Sequence, residues 1–154
     1  MPDVDPWWLA LAAAVVLAAL GGRWLWHLGR AVQVERAREL FRLQHERFEE
    51  MALTAAAATG KPRDLTWAAC AITGDAVLAR GPAGAILALV PVEVRFEPVA
   101  GSDMETNPAA TEPRPATAVF TFARGHWHTD GRVVFNLDPA RAAATFGAAV
   151  VDGH

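Results

Sequence analysis

The amino-acid sequence predicts an α+β fold carried on a membrane anchor: an N-terminal transmembrane helix continuing into an amphipathic helix, then a curved antiparallel sheet of about five strands and a short C-terminal helix, of the cystatin-like or cone-shaped kind. Three observations predict it. The stretch from Trp7 to Trp26, WWLALAAAVVLAALGGRWLW, is an apolar run closed at each end by a pair of tryptophans. From Leu28 to Thr59 the apolar residues recur at helical spacing. From Leu65 onward the period changes to two, with turn residues between the runs.

Along a helix, the pair Trp7 and Trp8 lies roughly 26 Å from Trp24 and Trp26, close to the hydrocarbon thickness of a bilayer, and aromatic belts mark both interfaces of a span. Arg23 falls inside the second belt, where its guanidinium can snorkel toward headgroups while its stem stays apolar. A cleaved signal peptide needs a basic leader and a small-residue cleavage site. Here the leader carries Asp3 and Asp5 and no Lys or Arg, and the run ends in Gly21, Gly22 and Arg23. A buried soluble helix is the other alternative, since the strictly uncharged part, Trp7 to Gly22, is short for a span; the tryptophan spacing argues against it. Residues 1–6 read as a short acidic tail, 7–26 as the span, 27–59 as a stalk. Arg23, Arg30, Arg36, Arg38 and Arg42 follow the span on its carboxyl side. The positive-inside bias therefore places that side in the cytoplasm, the protein crossing the cell inner membrane once.

A chain of 154 residues that spends about thirty on an anchor has room for one small domain. A net charge of −3 gives no reason to expect nucleic acid as a partner. The lone Cys70 makes no intramolecular disulfide and suits either compartment.

In the stalk, Val34, Ala37, Leu40, Phe41, Phe48, Met51, Ala52 and Ala55 share one side of a helical wheel, with Gln44 the only polar intruder. Glu35, Arg38, Glu39, Arg42, Glu46, Glu49 and Glu50 form the other side, which reads as a solvated face. Packing on the following sheet is the favoured use of the apolar stripe; the alternative is a coiled-coil homodimer through residues 34–55. Gly60 offers a left-handed stop and Pro62 forbids continuation.

The soluble domain spans 63–148. Strands are expected at Leu65 to Ile72, Val77 to Arg80 and Ile86 to Glu97, with turns at Thr73-Gly74-Asp75 and Gly81 to Gly84. In the third strand Ile86, Ala88, Val90, Val92, Val94 and Phe96 share an inward face, while Leu87 and Leu89 give way to Glu93, Arg95 and Glu97 on the other. Pro91 donates no hydrogen bond, so the strand should bulge there or lie at an edge. Residues 98–115 form a long loop whose composition favours disorder. Its Asp103, Met104, Glu105 and Asn107 are the residues that could meet a partner. The sheet resumes at Thr117 to Ala123, turns at Arg124-Gly125, returns through His126 to Thr129, and Asp130-Gly131 signals a second hairpin into Arg132 to Leu137. Asp138 caps a short helix with Pro139 in its first position, and residues 149–154 are a tail with little to hold it.

One constellation suggests chemistry. His126, His128 and Asp130 alternate along a strand, so two imidazoles and a carboxylate could face one divalent metal. The hairpin argues otherwise: with Arg124-Gly125 as the turn, Trp127 pairs Phe122 on the core face and both histidines lie outward. Asp130 is then held by its own turn, and no fourth ligand is near. Cys70, between Ala69 and Ala71, reads as core and not as a nucleophile. The glycines at 81 and 84 lack the lysine and helix of a phosphate loop. No motif names a cofactor.

The runs GKPRDLTW, FEPV, DMETNP, ATAVF and W-x-TDGRVVFNLDP, between about Phe41 and Phe146, resemble a family of short membrane-anchored proteins of planctomycete bacteria. That family has no assigned activity, so no residue role is carried over. The resemblance implies that the DMETNP loop and the TDG turn are particular features. Two functional classes follow: a non-catalytic membrane-tethered module for protein interaction or assembly, and a small ligand-binding or hydrolytic domain using the cavity between helix and sheet. The first expects an open sheet edge or apolar patch; the second expects several hundred Å³ with converging polar groups.

Overall fold

The structure is a computed structural model and describes residues 6–60 and 62–151. It is α+β: a long apolar N-terminal helix, an open antiparallel sheet and a short C-terminal helix. By contact the chain divides into two units, Met1–Arg36 and Ala37–His154. The described part of the first is helical throughout. The acidic leader, with Asp3 and Asp5, lies outside the described residues.

Helix α1 runs Pro6–Leu43 and helix α2 runs His45–Thr59. The expected single stalk helix is therefore broken, at Gln44, whose φ of −120° and ψ of 27° are not helical. Aromatic packing explains the break. A straight helix sets residues seven apart about 10 Å along its axis, yet the Phe41 and Phe48 rings stack with centroids 4.3 Å apart. The change of direction lets both rings meet Phe120 and Trp127 edge-on, the arrangement that ring quadrupoles favour. Ala37, Phe41, Phe48, Ala52 and Ala56 are all buried, so this part of the apolar stripe is used on the chain's own sheet. After Thr59 the chain leaves in an extended and not a left-handed conformation: Gly60 has φ −143°, and its carbonyl accepts from Trp67 Nε1 at 2.6 Å.

The strands are β1 (Leu65–Ile72), β2 (Val77–Arg80), β3 (Ile86–Pro98), β4 (Arg114–Ala123), β5 (His126–His128), β6 (Val133–Phe135) and β7 (Ala149–Val150). All pairings are antiparallel. They form five lanes, the last of them β7 on the outer side of β2. β3 and β4 are central, paired from Ile86↔Phe122 to Val94↔Arg114. β1 and β2 lie end to end along the other side of β3, and β5 and β6 lie end to end along the outer side of β4.

This arrangement corrects two expectations. Pro91 neither bulges β3 nor puts it at an edge. Within a strand one residue's N and O point the same way, and the Pro91 carbonyl accepts from Thr73 N, where β1 has just ended; the missing donor faces the gap between β1 and β2. Nor is Asp130-Gly131 a hairpin, because β5 and β6 both pair with β4 and not with each other. The chain only jogs there, and Gly131 (φ +80°) lies so close to α2 that a Cβ would collide with the Ala55 carbonyl.

A bulge does occur, in β1. The register passes from Trp67↔Phe96 to Ala69↔Arg95, leaving Ala68 unmatched. Trp67 and Cys70 are three apart and would otherwise face opposite sides; the extra residue puts Trp67, Cys70 and Ile72 together on the helix-facing side. On β3 the inward face is as expected, with Ile86, Ala88, Val90, Val92, Val94 and Phe96 all buried. The opposite face is covered in its first half by α3 (Pro139–Thr145), where Ala142 and Ala143 pack with Ala79, Leu89 and Val119. Asp138 caps α3 through Arg141 N at 2.9 Å. The tail is held after all: Ala149 and Val150 pair with Arg80 and Ala79, and Val151 N donates to Leu78 O. Residues 152–154 lie outside the described part.

Candidate functional site

The residues expected to anchor the chain are all exposed on α1. Trp7, Trp8, Trp24 and Trp26 are 54 to 65% exposed, and Arg23 is exposed beside them. The most apolar stretch of α1 has a mean hydropathy of 1.7, with none of that window buried. By length and composition this one helix among the described residues can cross a membrane.

His126 and His128 flank the buried Trp127 on β5 and are both exposed. The register is Phe122↔Trp127, with Ala123↔His126 and Thr121↔His128. Trp127 alone turns inward, its Nε1 donating to Ala37 O at 3.0 Å. Asp130 is engaged within its own jog, accepting from Arg132 N at 3.2 Å with the Arg132 guanidinium 3.9 Å away. Among the described residues, no three His, Cys, Asp or Glu side chains are placed to hold a metal ion.

The loop after β3 has a defined path and is not disordered. Successive turns run from Val99 to Ala110, and Val99 N donates to Asp64 O. Two of the candidate partner residues build it: Glu105 accepts from Gly101 N at 2.8 Å, and Asn107 Oδ1 accepts from Ala109 N at 3.1 Å. Met104 is half-buried, its sulfur 3.7 Å from the Asn107 amide nitrogen. Asp103 is exposed, and Ala110 anchors the loop in the interior.

Cys70 is buried, and burial pushes its thiol up to about 11, with the negative charge of Glu49 adding to the shift. Such a thiol is protonated near neutrality and is a poor nucleophile. Glu49 itself departs from the solvated face on which the sequence places it: its Oε1 accepts from Ile72 N at 2.8 Å, on the outer edge of β1.

A groove between helix and sheet, of the size the second functional class expects, measures about 530 Å³, and sequence reasoning did not single out as a site the residues that line it: Arg38, Phe41, Arg42, Gly74, Asp75, Ala76 and Leu78. One wall is the last turns of α1 and the other is the jog between β1 and β2. Arg38 and Arg42 are four apart and so share a helix face. Phe41 and Leu78 are buried and give the groove an apolar floor. The sequence signal for it is slight, because the pairing of β1 and β2 along β3 alone brings residue 42 to residue 75. Compared with known proteins, the chain matches no family model, no curated sequence and no solved structure.

Proposed function

We propose that this chain is a single-pass membrane-anchored protein whose domain after the stalk is a non-catalytic module for protein interaction or assembly. The observation that carries the reading is the run from Trp7 to Trp26, apolar, framed by exposed tryptophans and without protein cover. Apolar surface on that scale is costly in water and is relieved by lipid. The arginines on its carboxyl side put the domain in the cytoplasm, at the inner membrane. The resemblance to membrane-anchored planctomycete proteins supports the anchor.

For the interaction role, the support is an open edge. Among the described residues β1 pairs only with β3, and apart from the Ile72 amide, which Glu49 takes, its outer side can accept a strand. A second copy pairing through 34–55 is disfavoured as that partner, because Phe41 and Phe48 are already buried. A second reading, a small ligand-binding domain, is favoured by the groove of about 530 Å³.

The test is fractionation followed by co-purification. The full chain should stay with membranes through an alkaline wash and need detergent for release; recovery in the supernatant without detergent removes the anchoring role. A stoichiometric protein retained through detergent extraction supports the interaction module. A domain that leaves extracts alone moves the case to the second reading.

A further inference from the structure

The groove between α1 and the β1–β2 jog carries a more specific reading, which rests on the ligand-binding interpretation above. Two sets of donors on its walls have no protein partner among the described residues. The backbone amides of Gly74, Asp75 and Ala76 take part in no hydrogen bond among the described residues. Arg42, exposed on the facing wall, makes no ion pair among them either. Arg38 lines the same wall a turn earlier. Consecutive amides in a turn, with a guanidinium opposite, are the donors that an acid group takes. Beneath them the floor is apolar: Phe41 and Leu78 are 7% and 6% exposed. Asp75 is the one carboxylate on the lining and opposes the two arginines.

We propose that this groove binds a small soluble organic anion, an acid group on an apolar body, with Arg42 and the amides of Gly74 to Ala76 holding the acid and Phe41 and Leu78 lying against the body. Small-molecule sites elsewhere are clefts of several hundred Å³ in which a few fixed polar groups orient a ligand against apolar wall; here charged and apolar lining are about equally represented. Because Asp75 lies among the donors, the site sets its own charge test: loss of the arginine and loss of the aspartate must act in opposite directions.

The experiment uses the full chain in neutral detergent, with phenyl phosphate as probe and the amide resonances of residues 74–76 as readout. Phenyl phosphate should shift those resonances saturably, and benzylammonium should not. Arg42→Gln should weaken the affinity by about tenfold, the range of one charge-assisted hydrogen bond. Asp75→Asn should strengthen it by about threefold, as removal of a partly screened like charge does. Both positions are exposed, and unchanged resonances of β3 check that each variant is folded. If Asp75→Asn weakens binding, or benzylammonium gives the larger shift, the groove is a ligand site of the opposite charge and the proposal falls while the ligand-binding reading stands. If no probe moves these amides, both fall. Shifts produced only by phosphatidylglycerol added to the micelle assign the site to a lipid headgroup and overturn the soluble ligand.

Discussion

Gly131 shows how much one side chain can decide. Its φ of +80° suits glycine, and its Cα lies where a Cβ would strike the Ala55 carbonyl and come within 2.6 Å of Thr59 Oγ1. Neither α2 nor the jog can give way cheaply, since Phe48 and Ala52 of the same helix are buried. Gly131→Ala should therefore destabilise the domain by about 2 to 4 kcal/mol, combining left-handed strain with overpacking, read as a lower denaturant midpoint at unchanged slope. An Asp-Gly pair inside alternating residues signals a hairpin because the local chemistry of a turn and of a close approach is the same. The sequence shows that a glycine is needed there and not which of the two needs it. Cys70 gives a second residue-scale test, with a sign fixed by its environment. Burial first and Glu49 second raise its folded pKa to about 11, so the folded state holds the proton more tightly than the unfolded one. That stabilisation is complete below the unfolded value near 9 and is lost as pH rises toward 11. The wild-type domain should lose up to about 3 kcal/mol across that window, two pKa units' worth, and Cys70→Ala should show a flatter profile in chemical denaturation at each pH.

Among the elements, β1 is the longest of the strands that have a single strand neighbour among the described residues, and the structure closes part of its outer side with a side chain. Glu49 Oε1 takes the outward amide of Ile72 at 2.8 Å, a donor that would otherwise be offered to an incoming strand. Glu49→Ala should cost about 1 to 3 kcal/mol, the range for a part-buried donor left without its charged partner. It should also speed hydrogen exchange at Ile72 while leaving β3 and β4 protected. If exchange at Ile72 is unchanged, the carboxylate is not what guards that edge. The β4–β5 hairpin offers a test in the other direction. Arg124 and Gly125 both have positive φ, 53° and 83°, the pattern of a turn that prefers Asn before Gly. Arg124→Asn should raise stability by about 0.5 to 1 kcal/mol, since Asn tolerates the left-handed region better than Arg. These cases also mark what was legible. The alternation from Ile86 to Phe96 was readable because strand period and burial coincide there. Pro91 was misread because the sequence does not show that two short strands share one flank of β3 and leave a gap where a donor is not required. Glu49 was misread because a helical wheel carries no information about which strand ends beside it, and β7 because two residues are too few to show a period.

For the whole molecule, what could be read from the sequence was the division of labour: an apolar helix, then a sheet domain closed by a short helix. The order of the loop after β3 was not readable, because composition scales omit the bonds from Glu105 and Asn107 that fold it. A cavity between helix and sheet could be expected, but its lining could not be read, since Arg42 and Gly74 come to one groove only through the sheet's pairing. The proposed anchor is the feature with the largest consequence, and charge gives it a direct test. Val16 and Leu17 lie near the middle of the run, 55% and 69% exposed. A charged residue at the centre of a spanning helix costs about 2.5 to 3.5 kcal/mol on insertion scales, so Val16→Arg with Leu17→Arg withdraws about 5 to 7 kcal/mol from insertion. Both lie in the first unit, and the buried residues of the second run from Ala37 onward. The double variant should leave the membrane fraction while its β3 amides keep their protection. A double variant that still sediments with membranes and resists an alkaline wash would mean that something other than the first helix holds the protein there. Loss of β3 protection would mean that the helix supports the domain's fold, and lipid would no longer be its assigned neighbour.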